Sequence, residues 1–185
     1  MMMKKRTVVM AVASVIVFAG LAGCAAKAVY TVNCGDDEAY VDTAGKKWAP
    51  DQEMAEGADW GYVEGSEVVR DLETISHTPS PRVYLTERYS MTAYEFKLKE
   101  GRYTVRLHFA ETYDGITAAG ERLFAVSLNG KAVLKDLDVF KEAGGPNKPL
   151  VKEFTGVAVK GGKLVIAFEP NVQNPEINGI EILAE

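Results

Sequence analysis

Between Tyr84 and Tyr113 the chain sets aromatic rings beside charges where strands should stop. Tyr84-Leu-Thr-Glu-Arg-Tyr89 precedes an alternating run that closes in Phe109-Ala-Glu-Thr-Tyr113. Rings of this kind pack on the axial C–H face of a sugar while polar groups on the same rim satisfy its hydroxyls. Trp60 and Tyr62, in Asp59-Trp-Gly-Tyr62, also stand outside any continuous apolar run. The pattern predicts that Trp60, Tyr62, Tyr89 and Tyr113 offer an open stacking surface, against the plainer alternative that such rings plug the ends of a β-sandwich.

The charges around these rings, Glu87, Arg88 and Glu111, look functional but read as structural. Glu111 keeps the odd parity of Phe109, so a regular strand turns its carboxylate inward, where an unpaired charge is costly. Arg88 is the partner expected, in an ion pair that locks the Tyr84–Tyr89 segment onto the strand end and orients Tyr89 and Tyr113. Asp36, Asp37, Glu38 and Asp42 invite a calcium site, but their spacing is not that of an EF-hand loop. His77 and His108 follow no metal-ligand pattern, and His108 falls on the polar parity of its strand, which predicts a surface position. No Gly-x-Ser-x-Gly, His-Glu-x-x-His or phosphate-cradling glycine loop occurs, and no pair of carboxylates is singled out for glycoside hydrolysis. The expectation is a non-catalytic protein with no cofactor and no metal.

The elements that must position the rings are strands. Tyr103, Val105, Leu107 and Phe109 alternate with Thr104, Arg106 and His108, and the same period of two recurs in Tyr94–Leu98, Phe124–Leu128 and Leu164–Phe168. Turn signals separate them: Glu100-Gly101, Asn129-Gly130 and Gly161-Gly162, of which Asn-Gly best tolerates the positive φ of a tight hairpin. Residues 48–82, with Thr78-Pro-Ser-Pro81, read as long connections carrying at most short helical turns, and Lys141–Pro149 as a further loop. Short strands with regular turns predict one all-β domain, an antiparallel β-sandwich of jelly-roll type.

The first residues read as a targeting segment. Lys4, Lys5 and Arg6 precede an apolar run from Val8 to Leu21, and Leu21-Ala-Gly-Cys24 resembles a bacterial lipobox. The resulting division is residues 1–23 as signal peptide, 24–28 as lipidated Cys24 and a short tether, and 29–185 as the domain. A lipid on Cys24 predicts export and anchoring to a bacterial cell membrane, the outer one if there are two, with the domain held close to that surface. The net charge is −5, and losing the three basic residues of the leader makes it more negative by three, which argues against nucleic acid as a partner. With Cys24 lipidated, Cys34 stands alone as a core thiol rather than a disulfide partner.

Several ordered blocks resemble the malectin domain family over nearly all of the chain after residue 28. They are Tyr30-Thr-Val-Asn-Cys-Gly35 with Ala39-Tyr-Val-Asp42, Asp59–Tyr62, Tyr84–Tyr89, Phe109–Tyr113, Arg122-Leu-Phe124 with Asn129-Gly-Lys131, Asp136-Leu-Asp-Val-Phe140, and Ile177-Asn-Gly-Ile-Glu-Ile182. The resemblance implies a galactose-binding-like sandwich that holds a saccharide on loop tyrosines at one end, at positions matching Trp60, Tyr89 and Tyr113. Tyr62, Asp114, Gln173 and Asn174 are the residues expected to supply hydrogen bonds. Two positions depart from the family pattern: Asp114 stands where the family has an aromatic, and Gln173 replaces an acid, exchanging an anionic acceptor for an amide that both donates and accepts. The expected function is a membrane-anchored carbohydrate-binding module. The alternative is an envelope domain that has kept the sandwich, lost the sugar and docks on a neighbouring protein.

Overall fold

The computed structural model describes residues 27–72 and 75–185. The expected signal peptide and lipidated Cys24 therefore lie outside the described residues, while Lys27 and Ala28, expected as tether, are the first residues of a strand.

Fourteen strands follow in chain order. β1 is Lys27–Asn33, β2 Tyr40–Val41, β3 Lys47–Trp48, β4 Trp60–Val63, β5 Ser66–Val69, β6 Thr86–Tyr89 and β7 Ala93–Lys97. β8 is Gly101–Phe109, β9 Leu123–Leu128, β10 Lys131–Leu137, β11 Leu150–Val159, β12 Lys163–Val172, β13 Glu176–Ile177 and β14 Gly179–Ala184. A 3₁₀ turn at Pro81–Tyr84 and helix α1, Val139–Ala143, complete them. Two antiparallel sheets, β1-β14-β8-β11 and β10-β9-β12-β7-β4, face each other, and a three-stranded sheet β13-β6-β5 caps one end. The chain crosses between the large sheets at β7 to β8, β8 to β9, β10 to β11 and β11 to β12, which gives the jelly-roll sandwich.

The core follows from the alternation. Val105, Leu107 and Phe109 of β8, with Val32, Ile180 and Ile182 from its own sheet, meet Phe96, Phe124, Val126, Leu164 and Ile166 of the other. Phe109 and Phe124 touch across the interface with centroids 5.9 Å apart. Burying side chains of this size, at about 1.5–3 kcal/mol each, is the main force holding the sheets together. Asn129 and Gly130 take the positive φ of 49° and 77° that the β9–β10 hairpin needs, and Gly161 and Gly162 do the same between β11 and β12.

Two local expectations are corrected. Residues 48–82 are not only connections: β4 and β5 form there because each short segment finds a partner strand, Trp60–Val63 against β7 and Ser66–Val69 against β6. His108 is buried, not on the surface. The outer face of β8 at this point is covered by Trp48, whose ring meets the imidazole edge-on at 5.3 Å. His108 Nε2 donates to Glu181 Oε1 at 2.9 Å, and its Nδ1 shares a hydrogen bond with the Tyr84 hydroxyl at 2.8 Å. Burial works to raise the Glu181 carboxyl, but the bonds from His108 and Lys46 outweigh it and hold the group at about 2. Cys34 is fully buried, as its parity predicts.

Candidate functional site

The capping sheet divides two clefts, and the parity of its strands decides which residue faces which. β5 and β6 pair Ser66 with Tyr89, Glu67 with Arg88, Val68 with Glu87, and Val69 with Thr86. Paired residues share a face, and the faces alternate. Val68, Glu87 and Tyr89 therefore point into one cleft, and Glu67, Val69 and Arg88 into another.

The first cleft has a volume of about 300 Å³. Tyr89 and Tyr113 stand in its walls with Val68, Gln173 and Asn174, and Arg70, Glu87 and Arg122 also line it. Tyr113 follows the end of β8 and is 44% exposed, the ring most open to a ligand. It is held from three sides. Its backbone N–H donates to Glu111 Oε1 at 3.1 Å, and the Arg70 guanidinium lies 5.6 Å from its ring centroid. The third constraint is Gly115, where a Cβ would come within 2.6 Å of the ring carbon Cζ. Gln173 reaches the cleft from a left-handed backbone, φ 60°.

Beneath the rings lies a buried charge network. Arg70 donates from Nη2 to Glu87 Oε1 at 2.6 Å and from Nε to Thr112 Oγ1 at 3.1 Å, and that hydroxyl donates to Glu87 Oε2 at 2.9 Å. Arg122 Nε comes within 3.1 Å of Glu111 Oε2, close enough for charge pairing, yet the angles make no hydrogen bond. Burial pushes the Glu111 carboxyl up, against the pull of Arg122. Glu176, paired with Tyr89 across β13 and β6, is sealed from solvent and neither oxygen has a hydrogen-bond partner in the protein. Its burial, with Glu87 nearby, raises its carboxyl well above the ordinary range.

The expected Arg88–Glu111 pair does not form. Arg88 points to the far side of the capping sheet, where it donates to Asp51 Oδ2 at 2.9 Å and Glu67 Oε2 at 3.0 Å. Glu111 takes Arg122 instead. The reason is parity: Glu87 and Tyr89 own the cleft face, so Arg88 between them cannot reach it.

Of the seven residues expected at a binding surface, Tyr89, Tyr113, Gln173 and Asn174 come together around this cleft. Trp60 does not join them: it stacks on Phe96 at 5.9 Å, nearly parallel, on the edge strand β4. Tyr62 lies in the second cleft with its ring centroid 3.5 Å from the Arg88 guanidinium. Asp114 is exposed beside Tyr113 and does not line the cleft. Glu87 stood among the charges read as structural, whereas Arg70 and Arg122 escaped the sequence reading because they sit at strand ends where alternation carries no signal.

The acids once considered for calcium are engaged elsewhere. Asp36 accepts from Arg82 Nε at 2.8 Å and Asn33 Nδ2 at 2.7 Å. Asp42 accepts from Ser80 Oγ at 2.6 Å and Trp48 Nε1 at 3.2 Å. Among the described residues no group of three or more His, Cys, Asp and Glu is arranged to hold a metal, and no helix is long and apolar enough to cross a membrane.

Two fixed contacts tie the cleft to the sandwich. Asn178 accepts from the Ala110 N–H at 2.6 Å and donates to the Thr86 carbonyl at 2.8 Å, joining the end of β8 to the start of β6. Gly35, at φ +80°, abuts the Glu87 backbone where any Cβ would collide with the carbonyl.

A family model, Malectin domain, matches residues 28–180. Malectin-A of Xenopus laevis is 30% identical over 154 residues, covering 80% of this chain and 51% of that protein. Malectin of Mus musculus is 30% identical over 188 residues, covering 91% and 61%. This chain thus spans about half the length of the curated relatives it matches. Among solved structures, a Bacteroides uniformis beta-glucuronidase superposes with a TM-score of 0.75 at 26% identity, over 84% of this chain and 18% of that one. The plant protein FER, in complex with the peptide RALF23 and LLG2, gives 0.72 at 25% identity, over 85% and 48%.

Proposed function

This chain belongs to the malectin domain family, and on that footing we propose that it is a non-catalytic carbohydrate-binding module, anchored to a bacterial membrane through a lipid on Cys24. The saccharide lies in the cleft between Tyr89 and Tyr113, stacked on one or both rings, with the Gln173 and Asn174 amides bonding its hydroxyls. The observation that carries this reading is convergence: two rings and two amides from β6, the end of β8 and the 173–174 turn line one open cleft of sugar size. The carboxylates support a non-catalytic role, since Glu87 spends both oxygens on Arg70 and Thr112 while Glu176 is sealed. A shallow site of this kind gives dissociation constants of about 1 μM to 1 mM.

The test is a glycan array probed with the full-length chain in detergent, beside its Tyr89→Ala variant. Binding to a subset of glycans, lost in the variant, supports the reading. A silent array favours the second one, a docking domain of the envelope, which draws its support from the position of Trp60 outside the cleft. The anchor is tested separately: Cys24→Ala should move the protein out of the membrane fraction.

A further inference from the structure

Every polar group lining the Tyr89–Tyr113 cleft can be asked what it still has to offer a ligand. Glu87 offers nothing, because both of its oxygens are taken by Arg70 and Thr112. Arg122 offers most. A guanidinium carries five N–H donors and no acceptor, yet Nε and Nη1 of this one have no hydrogen-bond partner although the residue is only 8% exposed. Both nitrogens are sealed from bulk solvent, and the residue lines the cleft. Arg70 stands beside it, its side chain 19% exposed to the same space.

The hydrogen bonding leaves room for an anion. Arg70 is bonded to Glu87, Arg122 meets Glu111 without a hydrogen bond, and the third acid, Glu176, is sealed with neither oxygen bonded. Glu111 is an imperfect counterion, since it meets Arg122 without hydrogen-bond geometry and its own charge is opposed by burial. Two guanidiniums border one cleft, and the unbonded N–H donors of Arg122 match a ligand group that only accepts. A hydroxyl would satisfy one N–H, whereas a carboxylate can take two in the charge-assisted geometry that Glu111 does not make.

We propose that the saccharide of this cleft carries a carboxylate, received by Arg122 with Arg70 beside it. The proposal rests on the saccharide reading above and narrows it from sugars in general to acidic ones. A hexose acquires a carboxylate either at C6, as a uronate, or through a lactyl ether, as in muramic acid.

Matched pairs separate these sources in one titration calorimetry experiment on the unaltered full-length chain in detergent. One pair is a glucuronate-terminated disaccharide and the glucose-terminated disaccharide that differs only at C6. The other is N-acetylmuramic acid and N-acetylglucosamine. In one pair or both, the acidic member should bind about tenfold tighter or more, the size of one charge-assisted contact, and the responding pair identifies the source. Arg122→Gln should bring the affinity of the acidic member down to that of its neutral partner, and Arg122→Lys should close the gap only in part. If removing the counterion of Glu111 prevents folding, as a thermal melt would reveal, the pairs on the unaltered chain decide alone. Equal or tighter binding of both neutral members overturns the carboxylate and leaves the saccharide reading standing. Failure of all four probes, together with a silent array, overturns both.

Discussion

Single residues of the cleft fall into those that meet a ligand and those that hold the ones that do. Tyr113 is open to solvent and little of the core rests on it, so Tyr113→Ala should weaken saccharide binding about tenfold or more with a stability change within about 0.5 kcal/mol. Gly115→Ala should weaken binding as well, by forcing the ring from its place, although the added methyl never touches the ligand. Trp60 provides the opposite result. Stacked on Phe96, it should cost about 1–3 kcal/mol on truncation to alanine and leave affinity unchanged in folded protein. Titration and thermal denaturation of the three variants read these outcomes side by side. At Glu176 the variable is pH. Its folded pKa is raised above the ordinary 4.5, so at lower pH the group is protonated in both states. As pH rises past that value the unfolded chain ionises first, and stability drains away until the folded pKa is reached. Glu176→Gln, which does not titrate, should therefore gain stability over the parent as pH rises above the ordinary carboxyl range. Glu181 has the reverse sign. Its pKa of about 2 supplies stability above 4.5 that is lost as pH falls toward 2, so Glu181→Gln should flatten the acid limb of the stability profile.

At the scale of elements, the capping sheet β13-β6-β5 matters most, because its two faces serve different clefts. So small a sheet buries little of its own, and its placement depends on the buried side chain of Asn178, which bridges β8 to β6. Asn178→Ala orphans a buried N–H and a buried carbonyl, costs about 2–4 kcal/mol, and should lower affinity even in the fraction that stays folded, since β6 carries Tyr89. Chemical denaturation followed by titration at saturating folded fraction separates the two effects. The long strands were readable as strands because each buries one face, as Tyr103, Val105, Leu107 and Phe109 do in β8. β4 and β5 were not readable. Four-residue segments owe their conformation to partners distant in sequence, and nothing in Ser66-Glu-Val-Val69 announces β6.

Across the whole molecule, the sandwich was legible in the period of two and in the turn residues between strands, whereas the site was legible only in part. Tyr89 and Tyr113 could be picked out as rings at strand ends, Gln173 and Asn174 only through the family resemblance, and the four come together. Trp60 looked the same by that criterion, but an edge strand beside Phe96 gives a ring somewhere else to go. The ion pairs were misassigned for a related reason: which arginine reaches Glu111 depends on how β6 and β9 are placed in space, and Arg88 is turned away by one residue of parity. Docking on an envelope protein would use some other face and leave the cleft idle. Amide chemical shifts of the labelled full-length chain, followed as the strongest array glycan is added, distinguish the two. Shifts concentrated at Val68, Tyr89, Tyr113, Gln173 and Asn174 are the predicted result. Shifts confined to other faces, or none with any glycan, would contradict a saccharide held in this cleft.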